Sequence, residues 1–191
     1  AFPKQGHIQT LKMGETDLNL QIDPQTDKEH SVNLILRGNS LDARPFFGRQ
    51  QSAEVKKTLP GIQLDAQLNT VVLKNKIRAT QTRLFVDRDS EGAIWRIDFD
   101  GLIKEEPISL HFRPRDQEGQ KLLFIADNAG ATLAALGLFD TMRGGTIRVE
   151  GEDVPDGQPQ DVRGRMYIGN FTIVDTPFLA QLFNALSLTG L

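Results

Sequence analysis

The sequence predicts a mainly β protein: a curved, groove-like antiparallel sheet of about nine to eleven strands, with two short helices in the C-terminal third. Three observations carry this expectation. Apolar residues recur at every second position through most of the chain, the spacing of strands buried on one face. The connectors between these segments are short and rich in Gly, Asp and Pro, which joins antiparallel neighbours. Two late segments switch to helical spacing.

The alternation begins with Leu18, Leu20 and Ile22 set against Asp17, Asn19, Gln21 and Asp23. Val32, Leu34 and Leu36 add a second strand. The stretch from Leu41 to Thr58, with Arg44-Pro45-Phe46-Phe47-Gly48 inside it, reads as a strand end followed by a loop or short helix. Ile62, Leu64, Ala66 and Leu68 alternate with Gln63, Asp65 and Gln67, and Leu84 with Val86 marks the next strand. The turn Arg88-Asp89-Ser90-Glu91-Gly92 leads into Trp95, Ile97 and Phe99, then Ile108, Leu110 and Phe112. A second turn, Arg115-Asp116-Gln117-Glu118-Gly119, precedes Leu122 to Ala126, which is apolar on both faces and so predicts a central or doubly covered strand.

Residues 128–139 follow, with Ala129, Leu133, Leu136 and Phe139 at helical spacing and Asp127 as N-cap. Gly144-Gly145 reads as a turn before the strand of Ile147 and Val149. Pro155-Asp156-Gly157-Gln158-Pro159 closes a further hairpin. Val162, Gly164, Met166 and Ile168 share a phase that Phe171 and Ile173 break, which predicts a bulge at Gly169-Asn170. The second helix, Phe178 to Leu188, has Thr176 as cap, Pro177 at its first position and Gly190 as its stop.

Composition narrows the function classes. With 191 residues, 39% hydrophobic and 25% charged, the chain can bury a core as one β-rich domain spanning 1–191. Lys and Arg total 22 against 25 Asp and Glu, with the signs interspersed, so no basic footprint for nucleic acid is present. The absence of Cys excludes disulfides, a thiolate nucleophile and Cys-ligated metal. His7, His30 and His111 are far apart and form no metal-ligand spacing. Ser109 shares a strand face with His111, and Asp98 and Asp100 share one with Arg96. Both faces lie opposite apolar stripes and read as solvated, so no catalytic residue, metal or cofactor is assigned. Arg143, Arg148, Arg163 and Arg165 read as partners of Asp and Glu on a sheet surface, with lipid phosphates as the other reading. The chain starts at Ala1 without Met and ends on Leu191 without a polar tail, which reads as a piece of a longer protein.

The string from Ala126 to Asp140, ADNAGATLAALGLFD, is followed by Met142 to Gly151, MRGGTIRVEG, then Val162 to Ile168, VRGRMYI, and Phe171 to Pro177, FTIVDTP. The chain closes on Leu186 to Leu191, LSLTGL. In this order the strings resemble the AsmA-like C-terminal region of large Gram-negative cell-envelope proteins, over roughly residues 120–191. The resemblance implies a periplasmic protein tethered to the inner membrane by an anchor outside this fragment. It implies membership of the bridge-like lipid-transfer group, whose sheets enclose a hydrophobic groove and move phospholipid toward the outer membrane. The function so implied is non-enzymatic, a lipid-transport segment in outer-membrane biogenesis, with phospholipid and other envelope proteins as partners. Acyl contact is then expected at Trp95, Ile97, Phe99, Leu110, Phe112, Ile147, Val149, Met166 and Ile168. Two other readings stay open. One is a structural or protein-binding envelope module whose apolar stripes close into a dry core. The other is a hydrolase assembled from His111 and distant acids.

Overall fold

A computed structural model of the chain describes residues 6–24, 32–47, 61–115, 119–153 and 162–174. The strands are β1 (Gly6–Met13), β2 (Thr16–Pro24), β3 (Val32–Asp42), β4 (Ile62–Val72), β5 (Arg78–Arg88), β6 (Ile94–Ile103), β7 (Glu106–Arg115), β8 (Gly119–Ala126), β9 (Met142–Asp153) and β10 (Val162–Ile173). They form one ten-stranded open sheet in chain order, so each strand lies beside its neighbours in sequence. One α-helix, α1 (Ala129–Leu136), follows β8, and single 3-10 turns sit at Arg44–Phe46 and Lys74–Lys76. The mainly β architecture and the strand number are as the alternation predicts. The expected second helix, at 178–188, lies outside the described residues.

Four features differ from the sequence expectation. First, β3 and β4 are parallel, with Val32 opposite Ile62 and Asp42 opposite Val72. Residues 43–61 lie between them, the length of connection that parallel pairing requires and hairpins do not. Second, the N-cap of α1 is Asn128, whose side chain accepts from the Ala131 N–H at 3.0 Å. Asp127 still belongs to the sheet end, since its N–H donates to the Pro107 carbonyl at 3.0 Å. Third, α1 stops at Leu136 because Gly137 takes the left-handed conformation (φ 73°). The Gly137 N–H donates to Ala134 O at 3.0 Å and the Leu138 N–H to Leu133 O at 2.9 Å, the paired bonds that close a helix C-terminus.

Fourth, β10 carries no bulge at Gly169-Asn170. The register with β9 is the same on both sides of it, Ile168 opposite Ile147 and Phe171 opposite Gly144. The phase break comes instead from left-handed residues in both strands, Asn170 (φ 56°) in β10 and Gly144 and Gly145 (φ 61° and 80°) in β9. The two strands kink together, and Gly144-Gly145 lies inside β9, not in a turn.

The core sits at one end of the sheet. Helix α1 is buried from Ala129 to Ala135. It lies on Ala79, Ile103, Ile108, Ala126, Met142 and Ile147, with Phe139 beside it. Small residues let it approach closely, for a Cβ on Gly130 would stand 2.5 Å from the Met142 carbonyl oxygen. On its other flank the Asn75 side-chain amide donates to Ala134 O at 2.9 Å.

Candidate functional site

Residues directly opposite in paired strands share a face, so the register reveals how the apolar stripes connect. One row runs Leu20, Leu36, Ala66, Leu84, Phe99, Leu110, Phe124, Val149, Met166, one residue from each strand β2 to β10. Ile8 of β1 stands opposite Leu20 and extends it in register to all ten strands. Two residues along each strand lies a second row, Ile22, Leu34, Leu64, Val86, Ile97, Phe112 and Leu122, ending on Gly151 and Gly164. With strands about 4.8 Å apart, the lane they form is roughly 43 Å long.

A third row, toward α1, is closed: Leu18, Leu68, Ile108, Ala126 and Ile147 are all buried. The other two rows are only half-buried along most of their length, and Met166 is 42% exposed. Helix α1 covers this margin at Ile108, Ala126 and Ile147 and leaves the lane beside it.

The nine residues singled out by sequence separate accordingly. Ile97, Phe99, Leu110 and Phe112 stand in the lane on the central strands β6 and β7, half-buried. Val149 is in the lane, and Ile168 in the closed row; both lean on the core under α1, and Met166 ends the first row on β10. Ile147 is 3% exposed and belongs to the dry core, because it pairs with Ala126 beneath the helix. Trp95 falls outside both rows. The register shift at Asp87/Arg88 leaves it without a partner in β5, half-exposed, with its indole N–H donating to the Asp89 carboxylate at 2.8 Å.

Sequence reasoning missed Leu20, Leu36, Leu64, Leu84, Val86, Leu122 and Phe124 as lane residues. Their alternation was readable; that they align with Phe99 and Phe112 depends on register, which alternation does not fix.

The opposite face is polar and tied by charge. Asp98, its side chain 11% exposed, accepts from Arg113 at 2.5 Å, from His111 Nδ1 at 2.9 Å and from Arg96. Burial works against the charge of the Asp98 carboxylate, but the bonds from Arg113, His111 and Arg96 outweigh it and hold the group below the usual carboxylate range. Arg96 also lies 4.9 Å above the Phe85 ring. His111 Nε2 is 3.6 Å from Asp100, so the imidazole is held between two carboxylates; no bond to Ser109 forms among the described residues. Arg37 pairs with Asp65 at 2.9 Å and Arg148 with Glu150 at 2.6 Å. Arg143 donates to its own turn, at the Asp140 and Met142 carbonyls. Arg163 and Arg165 are exposed, opposite Glu152 and Glu150 in register. Among the described residues no cluster of three metal-ligating side chains occurs, and no helix is long and apolar enough to cross a membrane. No protein-family model, no curated protein and no solved structure matches the chain.

Proposed function

We propose that this chain is a lipid-conducting segment of a larger cell-envelope protein, non-enzymatic and working in the periplasm on phospholipid. The observation that carries the reading is the registered apolar lane across the whole sheet, half-buried instead of closed. A lane roughly 43 Å long exceeds one extended acyl chain of about 20 Å, so tails can lie along it at successive positions. Each methylene withdrawn from water contributes about 0.8 kcal/mol, and the first row offers an apolar side chain on every strand from β2 to β10, so that gain is renewed at each step along the lane. Movement along such a surface needs no catalytic group. Tethering to the inner membrane and a role in outer-membrane biogenesis rest on the resemblance of residues 120–191 to the AsmA-like region.

A second reading, a structural or protein-binding module, is favoured by the dry core under α1, where Ile103 and Met142 are 1% exposed. The two separate in native mass spectrometry of protein purified from bacteria. Bound phospholipid is expected, and it should be lost in Leu110→Asp and Phe99→Asp with the far-ultraviolet circular dichroism unchanged. A clean apo mass for the wild type, together with a stable complex with another envelope protein, selects the module. Unfolding of both variants assigns the face to a closed core.

A further inference from the structure

On the polar face, over the middle strands, lies a trough of about 870 Å³. One cross-strand row, Arg37, Gln67, Arg83, Asp100 and Ser109 on strands β3 to β7, runs along it, with Leu102 and Pro107 beside the row and Leu68 and Ile108 of the closed row also in its lining. Arg83 and Asp100 are direct partners across β5 and β6, both exposed. They form no ion pair with each other, and Arg83 forms none with any described residue. Among the described residues Asp100 reaches only His111 Nε2, at 3.6 Å. Arg37, by contrast, is fully engaged by Asp65 and two carbonyls.

The backbone beside this pair is strained. Between Thr80 and Arg83 the register of β5 against β6 slips by one residue, and Gln81, which lines the trough, has φ 52°. A left-handed conformation is unfavourable for a non-glycine residue, and such strain and such bulges gather at functional sites.

We infer that the trough binds a small free zwitterion, with its anionic group on Arg83 and its ammonium on Asp100. A lone anion at Arg83 would meet the Asp100 carboxylate one strand away, and a lone cation would meet the guanidinium. A ligand bearing both signs satisfies both. The Gln67 and Gln81 carboxamides and the Ser109 hydroxyl supply donors and acceptors around it. The trough faces away from the apolar lane, so a lipid headgroup seated in it would hold its chains off the lane.

The full chain would be titrated with phosphoethanolamine and with glycine by nuclear magnetic resonance, with inorganic phosphate and ethanolamine as single-charge controls. Shifts at Arg83, Asp100 and Ser109 are expected with a zwitterion, and binding at least tenfold weaker with each control. Arg83→Gln and Asp100→Asn should each weaken binding tenfold or more with the thermal midpoint and any copurified lipid unchanged. No shift with either zwitterion overturns the assignment. So does phosphate binding that Asp100→Asn strengthens, which marks a simple anion site. Flotation with phosphatidylethanolamine vesicles, abolished by Arg83→Gln, would move the same chemistry to a headgroup and overturn the free ligand.

Discussion

At Asp98 two guanidinium groups and an imidazole converge on one nearly buried carboxylate, and their balance against burial sets a measurable pH response. Because the folded-state pKa is depressed, the group stabilises the fold fully above its unfolded value of about 3.9, and that stabilisation is lost as pH falls through the lower folded value. The partners Arg96 and Arg113 are about half exposed, so solvent screening limits the effect. Asp98→Asn should cost about 1 kcal/mol in urea denaturation at pH 7 and measurably less at pH 3, below the unfolded value. An equal loss at both pH values would assign the residue a packing role instead. The pairing of Asp98 with Arg96 on one face was legible in the alternation of β6. The arrival of Arg113 and His111 was not, because it depends on the register of β7.

At the scale of the element, α1 is governed by closeness more than by helix propensity. Gly130 stands against β9 and leaves no room for a Cβ against the Met142 carbonyl. Gly130→Ala gains about 1 kcal/mol of helix propensity, while forcing the helix off the β9 backbone costs about 1–3 kcal/mol. Net destabilisation is expected by thermal denaturation; a rise in midpoint would mean that the helix is free to shift. The sequence announced this helix by its spacing but carried it on to Phe139, past the stop that Gly137 makes in the left-handed conformation. It misdirected the cap to Asp127, since both Asp127 and Asn128 are good capping residues and only the ladder bond from Asp127 to Pro107 decides between them. Similarly, the β6–β7 turn at Lys104-Glu105 takes φ 51° and 68° without a glycine, so no turn signal marked it.

Across the whole molecule, the strands from β2 onward announced themselves by period two, and Leu122 to Ala126 sits centrally between β7 and β9 as its two apolar faces require. The lane was legible only in pieces. Alternation assigns a residue to a face, whereas the lane and the trough both arise from which residues stand side by side on successive strands. The parallel seam between β3 and β4 stayed hidden because the polar run before Leu59 reads as an ordinary loop. That seam also bears on how the chain reaches its fold. Seven of the other strand pairs join immediate neighbours across eight residues or fewer and can zip locally, and β8 and β9 flank α1, whereas β3 meets β4 in parallel only across the longest connection, residues 43–61. The seam is thus the natural last step of assembly and the natural place to cut. Two pieces, 1–53 and 54–191, expressed together should find each other and rebuild the sheet, and their association rate should fall when Leu34→Pro removes an N–H that faces β4, on the same side as the Val32 N–H that donates to Gly61 O; pieces that stay apart would show that the seam forms early.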